Sequence, residues 1–181
     1  MNIPSKTAWA IWAVLFIAYM YMGAIVMPGV MERINAVATD PTCAAILDLH
    51  LFGISEAQAT EALTCMGEEG RAVYSIAETR EDIIYPFSYG FALSFSLFCL
   101  SGFLGFGKWR WLLAALPLIC ICFDFVENHH IHLLIQQYPT FDADTLRMAS
   151  LGNTLKWAFA MPSIFGTLVL AVWALVKKIR G

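Results

Sequence analysis

Four apolar runs alternate with polar stretches along the chain: Ala8 to Met27, Phe87 to Leu104, Leu112 to Leu134 and Ala149 to Val176. Each is close to the ~20 residues a helix needs to cross the hydrocarbon core of a bilayer. The pattern predicts an all-α integral membrane protein. We expect one four-helix bundle made by residues 1–181, with an external helical loop, Val30 to Ile84, between the first two spans.

The first run carries Trp9, Trp12, Tyr19 and Tyr21 among its aliphatic residues. It differs from a signal peptide in having a single basic residue ahead of it, Lys6, an overlong apolar core and no small-x-small cleavage site. It is expected to be a retained helix that stops at Met27-Pro28-Gly29, because proline cannot continue the hydrogen-bond ladder.

The long connection has its own pattern. Ser55-Glu56-Ala57-Gln58 has the spacing of a capping box, opening a helix that Gly67 can close. Glu68 to Ile84 then reads as an amphipathic helix with Val73, Tyr74, Ile76, Ala77, Ile83 and Ile84 as its apolar stripe, lying against the outer mouth of the bundle. Tyr85-Pro86 introduces the second span, with Tyr89 one turn further on.

Composition agrees with this class: 59% of residues are hydrophobic and 14% charged, where a soluble domain has about 25% charged residues. The net charge of −3 gives no reason to expect a nucleic-acid partner. Segregation of charge says more than the total. The long connection has ten acids against Arg33, Arg71 and Arg80, whereas Lys6, Lys108, Arg110, Lys177, Lys178 and Arg180 lie at the chain ends and in the loop Gly105 to Trp111, without any acid. The positive-inside rule puts both termini in the cytoplasm and the acidic segment outside, as in a bacterial inner-membrane protein. Cys43 and Cys65, the two cysteines of that external segment, are expected to form a disulfide. Cys99, Cys120 and Cys122 fall in the spans and read as small buried hydrophobes.

The third span contains the candidate chemistry. Asp124, Glu127 and Asn128 stand at i, i+3 and i+4, one face of a helix, in a segment where an isolated charge costs about 3 kcal/mol. Asp124 is roughly 18 Å from the inner edge of the span, and Lys156 of the fourth span is about 9 Å in from Ser150, so all three charges reach one depth. An ion pair joining two helices would account for one acid and the lysine. The second acid points instead to a polar-floored pocket in which Asp124, Glu127 and Lys156 act as catalytic groups. His129, His130 and His132 are expected to cap the outer end of this helix. No metal or other cofactor is expected, and no phosphate-binding loop, nucleophile elbow or dinucleotide fingerprint is present.

The ordered set Gly67-Glu68-Glu69-Gly70-Arg71 with Tyr74, Asp82 with Tyr85-Pro86 and Tyr89-Gly90, Asp124-Phe125-Val126-Glu127-Asn128, and Ser150-Leu151 with Thr154 and Lys156-Trp157 resembles a family of small four-span bacterial membrane proteins. The resemblance covers Gly67 to Phe159 and implies the four-helix architecture but no activity. A looser similarity, to the sterol-isomerase and sigma-2-receptor-like membrane fold, suggests a cavity sized for a lipid. Asn128, Tyr85, Tyr89, Asp82, Arg71 and Trp157 are therefore expected to contact a hydrophobic ligand, a lipid or isoprenoid, above groups suited to proton transfer. The alternative is a non-catalytic accessory subunit, whose partner is a larger membrane complex or a second copy of the chain.

Overall fold

The first apolar run does not stop at its proline. In the computed structural model, which describes residues 6–180, one helix, α1, runs from Lys6 to Val37. The expected stop at Met27-Pro28-Gly29 is thus corrected. Met22–Val26 is a π turn, and Met27 N–H bonds to Met22 O. This i→i−5 bond widens the helix just ahead of Pro28, the residue with no N–H to give, so the chain passes the proline without breaking.

Four further helices follow: α2 (Glu56–Thr79), α3 (Glu81–Leu104), α4 (Trp109–Gln137) and α5 (Ala143–Arg180). There is no strand among the described residues. All but α2 are long and apolar enough to cross a membrane, which gives the expected all-α bundle of four spans. The helices outrun the apolar windows that predict them; α1, at 32 residues, is about 48 Å long. Hydropathy marks where a helix meets lipid, whereas the ladder continues into the polar regions on either side. Val14, Ile17 and Ile25 of α1 and Leu168, Val169 and Val172 of α5 are more than half exposed, as side chains facing acyl chains should be.

The connection folds as its local signals predict up to one point. Ser55 and Gln58 form a complete capping box at the start of α2. Gly67 breaks that helix internally, with φ 66° and ψ −176°, a conformation open to glycine at little cost. The amphipathic stretch does not run unbroken to Ile84. It ends at Arg80 (φ −128°, ψ −73°), and Glu81 opens α3, so Asp82, Ile83 and Ile84 belong to the second span. Of the predicted stripe, Tyr74 and Ala77 are buried, while Ile76, Ile83 and Ile84 are exposed.

The largest apolar core sits at this end of the bundle. Val30 and Ile34 of α1, Leu63 and Met66 of α2, and Ile131 and Leu134 of α4 close around Leu47 and Tyr74. The disulfide Cys43–Cys65 ties the connection to α2. Arg33 on α1 bonds Glu81 at the start of α3 at 2.5 Å. In the spans, α5 packs along α4, α4 along α3, and α1 leans on α3, where Trp12 Nε1 donates to Ser96 Oγ at 2.9 Å.

Candidate functional site

The third and fourth spans meet at a glycine. At Gly152 of α5 a Cβ would stand 2.7 Å from Glu127 N and 3.0 Å from its Cα, so the two backbones approach as only a glycine allows. Asn153 and Lys156 flank this contact and reach the buried Glu127. Asn153 Nδ2 donates to Glu127 Oε1 at 2.7 Å, and Lys156 Nζ forms an ion pair with Glu127 Oε2. Glu127 is fully buried and Lys156 nearly so.

Asp124, one turn earlier on α4, is held differently. Its Oδ2 accepts the Tyr89 hydroxyl of α3 at 2.5 Å, and the Cys120 thiol beside that hydroxyl donates to Lys156 O at 3.3 Å. Asn128 turns toward α3 and gives Nδ2 to Asp82 O at 2.8 Å. The face Asp124-Glu127-Asn128 therefore contacts both neighbouring helices, each residue with its own partner.

A segment of the connection completes the site. The short 3₁₀ turn Leu47–Leu49 lies over α5, where Asp48 O accepts from Lys156 Nζ at 3.3 Å and Trp157 Nε1 at 3.2 Å. Further along, Gly53 N and Ile54 N donate to Asn153 Oδ1 at 3.0 Å and Ser150 Oγ at 2.9 Å. Ser150, Asn153, Lys156 and Trp157 follow one another at near-helical spacing, so one face of α5 staples this loop down.

Between α1, the loop and α3 to α5 there is a cavity of about 510 Å³, within the range of small-molecule sites. Met27, Met31, Leu93, Ala160 and Ile164 give apolar walls, Tyr19, Tyr85 and Trp157 aromatic ones, and Asp48, Asp82, Asp124 and Lys156 a charged end. Of the residues expected from sequence, Asp82, Tyr85, Tyr89, Asp124, Lys156 and Trp157 line it. Glu127 and Asn128 stand behind the lining. Arg71 is apart from it: Nη1 donates to Leu63 O at 2.9 Å and the guanidinium stacks 4.2 Å from the centre of the Tyr138 ring, which corrects its expected place as a ligand contact.

The histidines are separate as well. His130 Nδ1 is 2.6 Å from Val126 O, and His132 Nδ1 is 3.0 Å from Ser75 Oγ. The metal-capable grouping among the described residues is a different one, Asp48, Glu78 and Asp82, whose oxygens lie within 4.8 Å of one another. Glu78 is 3% exposed, and burial, helped by Asp48 and Asp82, pushes its carboxyl well above the usual range. Tyr74 donates its hydroxyl to Asp48 Oδ2 at 2.6 Å and accepts Leu47 N–H at 2.9 Å. Sequence reasoning missed Asp48, Tyr74, Glu78 and Asn153 as site residues. Glu78 did leave a signal, standing at i+4 from Tyr74 on the buried face of an amphipathic helix. Asp48 left none, because only long-range contacts place it.

Fold and site together define a helical membrane protein with a charged cavity at one end of its bundle. In comparisons with known proteins no family model matches the chain, and neither does any curated protein or solved structure.

Proposed function

We propose that the protein binds a hydrophobic molecule with a polar head, a lipid or isoprenoid, in the cavity between α1 and α5. The observation that carries this reading is the polarity of the cavity: apolar walls over most of its length, with Asp48, Asp82, Asp124 and Lys156 gathered at one end. Charged groups in a span are rare and mark sites of function, and here they face a space large enough for a ligand. Membrane insertion with both termini cytoplasmic, in a bacterial inner membrane, would put the charged end in the outer half.

Within that reading the groups divide. Lys156 neutralises Glu127, leaving Asp124 as a carboxylate that faces the cavity outside the ion pair, oriented by Tyr89. Asp124 is the group we assign to proton transfer, of the kind that moves a double bond, with Tyr89 fixing its position. The test is mass spectrometry of lipids that stay with the protein through purification in detergent, for the parent and for Ala160→Trp, which fills the apolar wall. A specific lipid retained by the parent and lost from the variant is expected. A parent that carries no lipid but a stoichiometric protein partner would favour the accessory-subunit alternative and end the pocket reading.

A further inference from the structure

Asp48, Glu78 and Asp82 come from three separate elements, the Leu47–Leu49 turn, the last turn of α2 and the first turn of α3, yet their oxygens converge within 4.8 Å of one another. Acids in contact are not in themselves a site, since carboxylates often crowd together without an ion. Glu78 is what distinguishes this group: it is 3% exposed, and neither of its oxygens has a hydrogen-bond partner among the described residues. Leaving a buried polar group without a partner is costly, and more so when it is charged, so native interiors nearly always supply one.

The neighbouring groups do not supply it. Glu78 is within electrostatic reach of Asp48, Asp82, Glu127 and one cation, Lys156, and Asp82 also senses Asp124 and Glu81. Lys156 is already committed to Glu127 and to Asp48 O. Arg33 is committed to Glu81 at the surface. Five carboxylates, Asp48, Glu78, Asp82, Asp124 and Glu127, therefore surround a single ammonium. Meanwhile the Tyr74 hydroxyl fixes Asp48, in the way outer partners orient metal-bound carboxylates.

We propose that Asp48, Glu78 and Asp82 bind one hard divalent cation, of the calcium or magnesium class, at the junction of the connection with α2 and α3. The donors are all carboxylate oxygens, with no imidazole or thiolate among them, the set preferred by these ions over zinc or copper. Oxygens on opposite sides of calcium, at 2.3–2.6 Å from the ion, are about 4.6–5.2 Å apart, a span that admits the observed spacing. The ion gives Glu78 the partner it lacks and joins the external connection to the second span. This goes beyond the ligand reading and stands without it, although Asp48 and Asp82 belong to both the cation site and the cavity wall.

The experiment uses the full chain in detergent, delipidated and stripped with EDTA, so that a failure of the lipid reading leaves this one testable. Calcium, magnesium and manganese are titrated in turn, followed by calorimetry and thermal unfolding, with manganese relaxation as a direct count of bound ions. We expect one saturable ion per chain and a raised Tm. Affinity should fall at least tenfold in Glu78→Gln and in Asp82→Asn, and stay unchanged in Glu61→Gln, an exposed acid of the same helix. Should either site variant fail to fold, the manganese count on the parent and the other variant still decide. A parent that binds none of the three ions saturably would overturn the proposal, showing that the cluster is neutralised by protons. Undiminished binding in the folded site variants would overturn it equally.

Discussion

Gly152 of α5 lies against the backbone of Glu127 of α4, with 2.7 Å between its would-be Cβ and Glu127 N. The atom it would meet is main chain, so nothing flexible can move aside. Gly152→Ala must push two packed helices apart at the level of the Lys156–Glu127 pair. Overpacking of this kind costs about 1–3 kcal/mol, and we expect a clearly lowered Tm in detergent. Gly29→Ala, where no atom lies within 4 Å of the added methyl, is the control. It should be neutral or slightly stabilising, since alanine is the better helix former.

Lys156 and Glu127 should behave as a unit. Removing one member of a buried pair costs about 3–5 kcal/mol because the other charge is left uncompensated, whereas replacing both by neutral groups is often harmless. Lys156→Met alone should therefore be strongly destabilised, and Lys156→Met with Glu127→Gln should recover most of the loss. Thermal unfolding of the single and double variants measures this. If the recovered double variant and Asp124→Asn both retained the parent's lipid and phenotype, the cluster would be a helix clasp and the pocket reading would fall.

The sequence announces the four spans and the capping box at Ser55 because both are written in neighbouring residues: runs of apolar side chains, and a serine three positions before a glutamine. The break at Gly67 is legible for the same reason, since a positive φ asks for glycine. The passage through Pro28 is not, because the π turn Met22–Val26 just ahead of it absorbs the missing donor and carries no composition of its own. Nor is the break at Arg80, where neither proline nor glycine marks the end of α2. In the site, the face Asp124-Glu127-Asn128 and its partner Lys156 follow from helix period and depth. Asp48 does not, because its place depends on contacts more than a hundred residues away in sequence, with Lys156 and Trp157. Arg71 shows the converse: a charge near the site in sequence order that spends itself on Leu63 O and Tyr138.

The disulfide closes a loop with a sequence separation of 22. Constraining the unfolded chain to that extent contributes about 3 kcal/mol in the chain-entropy model. Replacing Cys43 and Cys65 together by alanine should lower stability by roughly this amount. Peptide mapping under non-reducing conditions should recover the two cysteines in one linked species from exported protein. Two free thiols would contradict the assignment.

Asp142 caps the N-terminus of α5: its Oδ2 accepts Thr145 N at 2.9 Å and its carbonyl accepts Leu146 N at 3.0 Å. The Thr145 backbone bond holds the carboxyl below the ordinary aspartate value of 3.8. A folded-state pKa that is depressed contributes stability above the unfolded value and loses it as pH falls through the folded one. Asp142→Ala should therefore unfold at a lower temperature than the parent near neutral pH, with the gap shrinking as pH is taken below 3.8. A gap that is constant across that window would mean the cap acts through packing and not through its charge.

Orientation in the membrane is the remaining prediction. Lys108 lies in the turn between α3 and α4, and Lys177, Lys178 and Arg180 end α5, so these basic groups gather at the bundle end opposite α2. Helix α2 has Glu56, Glu61, Glu68 and Glu69 and carries Cys65 of the disulfide. Basic loops stay on the cytoplasmic side, and a disulfide persists in an oxidising compartment, so both arguments assign α2 to the outside. Single cysteines introduced at Lys108 and at Glu61, in a chain whose free thiols have been replaced, should label from opposite sides with a membrane-impermeant maleimide. Position 61 should react in intact cells from the outer face and position 108 only after the cytoplasmic side is opened. Labelling of position 61 from the cytoplasm alone would invert the topology and carry the charged end of the cavity to the inner leaflet.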